Sequence, residues 1–76
     1  MKQIFKEIKT EIKSARTKYH SFHSLHEGYA VLLEEIDELW DCIKANKSIR
    51  ADEKMKKECV QIAAMAIRFI EDLYEI

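Results

Sequence analysis

The chain has 76 residues, 13 Lys and Arg against 14 Asp and Glu, and a formal net charge of -1. This length is one domain with a small core, and a hydrophobic content of 47% excludes a disordered tail. The balanced charge excludes a general nucleic-acid binder, which needs a basic footprint.

The charge is unevenly distributed: residues 1–20 carry six Lys or Arg against two Glu, and residues 27–41 carry six acids and no base. Proline is absent, Gly28 is the only glycine, and no β-branched alternation is present. The chain therefore reads as all-α, a single domain over 1–76 built as a small bundle of about three helices.

The first predicted helix covers about Lys2 to Tyr19, within a basic amphipathic segment 1–20. Ile4, Phe5, Ile8, Ile12, Ala15 and Tyr19 form its apolar face, and Lys2, Lys6, Lys9 and Lys13 its solvated one. Ser24 followed by Glu27 is a capping box that starts a second helix at Leu25, with Phe22 or His23 in the approach. His20, His23 and His26 recur every three residues, but the cap at Ser24 breaks the register between them, so they read as packing or hydrogen-bonding groups.

The second helix (segment 24–45) runs from Leu25 to about Lys44. Leu25, Tyr29, Leu32, Leu33, Ile36, Trp40 and Ile43 form an apolar stripe opposite Glu27, Glu34, Glu38 and Asp41, and Glu35 stands at the flank of the acid face, where it can enter a groove. Gly28 in its first turn permits close packing. Lys44 and Lys47 suit the negative helix end, and Ala45 to Arg50 reads as a connection.

The third helix (segment 51–75) is predicted to start near Ala51 or Asp52. From Cys59 to Ile70 it is apolar on almost every side. A helix of that kind needs cover all round, which two other short helices cannot supply. The bundle is therefore expected to be completed by oligomerisation, as a homo-oligomer, dimer or tetramer. Glu58, Gln61, Arg68 and Asp72 form a polar seam along it. Arg68 and Asp72 are spaced for an internal ion pair. Cys42 and Cys59 show no ligand pattern and read as reduced core residues of a cytoplasmic protein. Met1 leads straight into charged sequence without a signal peptide, and the Cys59–Ile70 run is too short for a bilayer, so no membrane association is expected.

Two acid-bearing stretches carry the functional reading. Glu35 and Glu38 are three residues apart on one helix, as are Glu58 and Gln61 on another, so each pair shares a face. Like charges at this spacing repel, and a hard divalent cation would relieve them. A solvated acidic face is the plainer alternative.

These residues resemble the MazG-like nucleoside triphosphate pyrophosphohydrolases, an all-α family marked by an E-x-x-E pair and a later E-x-x-D pair. Glu35 and Glu38 match the first pair, and Glu58 with Gln61 the second, Gln61 standing where an Asp is usual. The likeness spans about Ser24 to Leu73. It implies Mg²⁺, with Mn²⁺ as an alternative, held by Glu35, Glu38, Glu58 and more weakly by Gln61. Glu34 is a possible compensating ligand. It also implies catalysis by Glu35, Glu38 and Glu58 on a nucleoside triphosphate substrate, giving the monophosphate and pyrophosphate. The residues that would contact the base are not identifiable. The neutral Gln61 keeps a second reading open, a non-catalytic nucleotide-binding or helical dimerisation and regulatory module.

Overall fold

The computed structural model describes residues 1–45 and 49–74 and contains three helices: α1 (Lys2–Lys18), α2 (Leu25–Lys44) and α3 (Ile49–Leu73). Among the described residues there is no strand, and no helix is long and apolar enough to cross a membrane. Lys47, most of the connection before α3, Glu75 and Ile76 lie outside the described residues.

The start of α2 follows from its cap. Ser24 is extended, and its Oγ accepts from Glu27 N at 3.0 Å. Glu27 Oε1 in turn accepts from His23 N at 2.6 Å, one residue earlier than in the usual reciprocal box. Helix α3 begins at Ile49, two to three residues before the expected Ala51 or Asp52. Nothing in Ile49-Arg50-Ala51 breaks a helix, and the longer start leaves Asp52 as the acid of the first turn, where it complements the helix dipole.

Helix α3 is the centre of the bundle. It packs against α2 on one side and α1 on the other, and among the described residues α1 and α2 do not pack against each other. The core is Ala15, Phe22, Ala64 and Met65, with Ile8, Ile12, Val31, Leu32, Phe69 and Leu73 around it. Phe22, rather than His23, turns in from the α1–α2 connection.

Helix α2 is rotated relative to the stripe read from sequence, of which Leu32 packs against the core. Gly28, Glu35 and Cys42 turn toward α3, whereas Leu25, Tyr29, Leu33, Ile36, Trp40 and Ile43 are 38–63% exposed. Gly28 helps to set this rotation. A Cβ there would meet Phe69 ring carbons at 2.5 and 2.8 Å, closer than van der Waals contact allows.

Two expectations are corrected. Cys42 is buried, but Cys59 is exposed and so is not a core residue; both are free thiols. Arg68 and Asp72 do not form an ion pair. Asp72 Oδ1 instead meets Arg16 Nη2 at 2.9 Å, and Asp72 Oδ2 accepts from Phe22 N at 2.9 Å. Arg68 donates from Nη2 to His20 O at 3.0 Å and lies over the Phe22 ring at 4.4 Å. The cause is tertiary: docking α1 and its following connection on α3 brings a second guanidinium and a backbone N–H to Asp72.

Candidate functional site: an acid cluster between α2 and α3

Glu35 and Glu38 lie one turn apart on α2, and Glu58 and Gln61 one turn apart on α3. The helix packing brings the two pairs together. Glu35, Glu38 and Glu58 each present an oxygen within 4.8 Å of the others. Glu58 is only 6% exposed, Glu35 and Gln61 are partly buried, and Glu38 opens to solvent. The Gln61 amide is 3.0 Å from Glu58 Oε2 and 3.0 Å from Glu35 Oε2. With its nitrogen turned inward it donates to both. Glu34 is not part of the cluster and lines a neighbouring cavity instead.

Burial, then the charges of Glu38 and Glu58, push the Glu35 carboxyl up to about 7. Burial and the adjacent Glu38 also raise Glu58, with a hydrogen bond from Glu35 and the charge of Lys54 acting against them. Three carboxylates sharing a partly dry groove thus bear a cost when all are ionised. A cation or a proton is what removes it.

The cluster borders two openings. A cavity of about 360 Å³ runs between α1, the connection and α2, with Glu34, Glu35 and Gln61 at one end and Phe22 and Arg68 at the other. Arg68, at the cavity floor, is 2% exposed; its Nη groups donate to His20 O and Met65 Sδ, the Asp72 charge lies nearby, and its Nε has no hydrogen-bond partner. On the other side, Glu38, Asp41, Lys54 and Glu58 line a more open groove. Sequence reasoning placed Phe22 or His23 in the approach to α2 but missed Arg16 and the cavity-facing role of Arg68. The seam on α3 was the available signal for Arg68, and nothing local signals Arg16.

A second group, His20, His23 and Glu27, also brings potential ligand atoms within 4.8 Å of one another. The two imidazoles stack, however, with centroids 4.4 Å apart and planes inclined by 20°. An ion in the plane of one stacked ring is out of the plane of the other, so both lone pairs cannot serve it. The cap bond from His23 N and the His20 contact with Glu27 at 3.6 Å account for the arrangement structurally.

No protein-family model, curated protein or solved structure matches the chain. The residues themselves carry the functional reading that follows.

Proposed function

We propose that the chain is a Mg²⁺-dependent nucleoside triphosphate pyrophosphohydrolase of MazG-like type, turning a ribo- or deoxynucleoside triphosphate and water into the monophosphate and pyrophosphate. The observation that carries this reading is the convergence of Glu35, Glu38 and Glu58 across two helices. The donors suit the ion: all are carboxylate oxygens, the preference of hard divalent cations, and Mn²⁺ fits the same set. The nine-tenths-buried Glu58 has two carboxylates and the Gln61 amide as its near neighbours, with Lys54 across the open groove, and a bound cation would add to the partial compensation that Lys54 supplies.

Glu58 forms the floor of the site, and Glu38 its solvent edge. Glu35 stands where the cluster meets the cavity, on the side from which a phosphate chain and the attacking water would approach. Rotation of the Gln61 amide by half a turn directs its oxygen inward and adds a neutral fourth donor. Bound there, Mg²⁺ or Mn²⁺ supplies charge against the triphosphate and acidity to the water that attacks the α-phosphorus. The buried Arg68 at the cavity floor adds a positive field toward the phosphates.

One observation favours the second reading, a nucleotide-binding or regulatory module without turnover. Gln61 can bridge Glu35 and Glu58 by hydrogen bonds, which eases their repulsion with no ion present. Pyrophosphate release, measured across ribo- and deoxynucleoside triphosphates with Mg²⁺ and with Mn²⁺, separates the two. The wild type releases pyrophosphate, Glu38→Gln loses about 100-fold or more of it, and Gln61→Asp tightens metal binding. A melting shift caused by nucleotide, without any release, sinks the enzyme reading and supports the module.

A further inference from the structure

Gln61 stands where the MazG-like pattern has an Asp. Its surroundings show what the amide does there. It lies one turn after Glu58 on α3, partly buried, and meets Glu35 across the groove. With the nitrogen turned inward, the amide donates to Glu58 Oε2 at 3.0 Å and to Glu35 Oε2 at 3.0 Å. One N–H serves each acid. The opposite orientation sets the amide oxygen against acceptors and the nitrogen against donors, so the metal-free chain selects this one. Both bonds are charge-assisted, and one of them runs from α3 to α2.

These donors do part of a cation's work. Three carboxylates that converge in a partly dry groove repel one another. Lys54 offsets some of that from the open groove. On the cavity side, the NH2 group of Gln61 touches two of the acids. An ion held by Glu35 and Glu58 draws on the same two carboxylates. An Asp at this position has no proton to donate when ionised, and it would add a fourth charge.

We propose that Gln61 is a positioning residue that stands in for the cation: it holds Glu35 and Glu58 together in the metal-free protein, and an arriving Mg²⁺ displaces it. The inference rests on reading the acid cluster as a divalent-cation site, and it concerns the ion rather than turnover. The amide is a rival of the ion more than a ligand. Turned by half a rotation, it offers the ion only a neutral oxygen, whose place water takes readily. Two charge-assisted bonds in a partly dry groove are harder for water to replace. The rivalry gives the cluster its shape before the ion arrives and loosens the hold on the ion afterwards.

The chain has two glutamines, and the exposed Gln3 serves as an internal reference for Gln61. NMR follows the two side-chain amides through a Mg²⁺ titration at mildly alkaline pH and low temperature. Melting curves follow the same titration for the wild type and for Gln61→Met. In the metal-free protein the Gln61 NH2 group is expected to exchange with water about 10-fold or more slowly than that of Gln3. This protection is lost in step with the melting shift that Mg²⁺ produces. Without Mg²⁺, Gln61→Met melts about 4–8 °C below the wild type. The deficit closes as Mg²⁺ saturates, because ion and amide do the same work.

A deficit that widens with Mg²⁺ makes Gln61 a ligand, and one that is constant or absent makes it merely structural; each overturns the proposal. So does a metal-free Gln61 amide that exchanges as fast as that of Gln3, or one still protected at saturating Mg²⁺. A wild-type melting temperature that Mg²⁺ does not move overturns it as well. Should Gln61→Met fail to fold, the wild-type amide signal decides alone. Pyrophosphate release is scored separately. An amide that the ion displaces without any release supports this inference while the enzyme reading fails. Release by a protein whose Gln61 amide ignores the ion does the reverse.

Discussion

Helix α3 holds two carboxyl groups fourteen residues apart, Glu58 and Asp72, and they are treated in opposite ways. At Glu58 the surroundings are like-charged: Glu35 and Glu38 converge on it, and burial and repulsion raise the carboxyl pKa values. At Asp72 the surroundings are complementary. Despite burial, the Phe22 N–H, Arg16 and the nearby Arg68 hold its carboxyl below the ordinary range. One end of the helix has its polar groups arranged for the folded state, while the other stores electrostatic tension across a groove. The first arrangement is what stability selects; the second carries a cost that protonation of one carboxyl relieves.

Substitution should therefore give effects of opposite sign at the two ends. Asp72→Asn removes the charge facing Arg16 and Arg68 and is expected to cost ~2–4 kcal/mol in denaturant unfolding. A wild-type stability for this variant would break the contrast. Glu58→Gln removes one of three repelling charges and should stabilise the metal-free protein by ~0.5–1 kcal/mol near pH 8. The same variant should abolish any stabilisation by Mg²⁺ or Mn²⁺, which melting curves with and without the ions read directly.

The pH dependence sharpens the contrast further. Glu35 has a folded value of about 7 against an ordinary value of 4.5. The folded state therefore binds more proton between those values, and stability rises as pH falls from about 8 toward 5. Asp72 has a folded value below its ordinary 3.8. Its contribution is present above 3.8 and is lost as pH falls through the lower folded value. Metal-free protein should be most stable in mildly acidic solution, and saturating Mg²⁺ should flatten the alkaline side of that profile. An alkaline side that is already flat without metal would show that the carboxylates do not interact.

The acid cluster was legible in the sequence because its spacing is local. Glu35 with Glu38, and Glu58 with Gln61, are single-turn pairs, and helix geometry fixes each before any tertiary contact forms. The cap of α2 was legible for the same reason. The partner of Asp72 was not. The i,i+4 rule points to Arg68, whereas the structure supplies Arg16 from the other end of the chain. The rotation of α2 was also hidden. Its Leu, Ile and aromatic residues make the most hydrophobic stripe, yet the flank bearing Gly28, Glu35 and Cys42 is the one that turns to α3. Hydrophobicity ranks the faces of a helix but does not say which neighbour each one meets. That choice depends on steric fit at Gly28 and Phe69.

That contact has a mechanical consequence. Two helices are stiff rods, and Gly28 is two turns, or about 10 Å along the axis, from Glu35. Phe69 sits against the glycine as a fulcrum sits against a beam, with Glu35 and Glu58 further along the two arms. The gauge of the acid groove is thus set from outside the groove, by the one residue in α2 that has no side chain. A methyl group at Gly28 would touch no acid, yet it would displace the Phe69 ring, and any part of that clash the ring does not absorb would reach all three acids at once by spreading the beams.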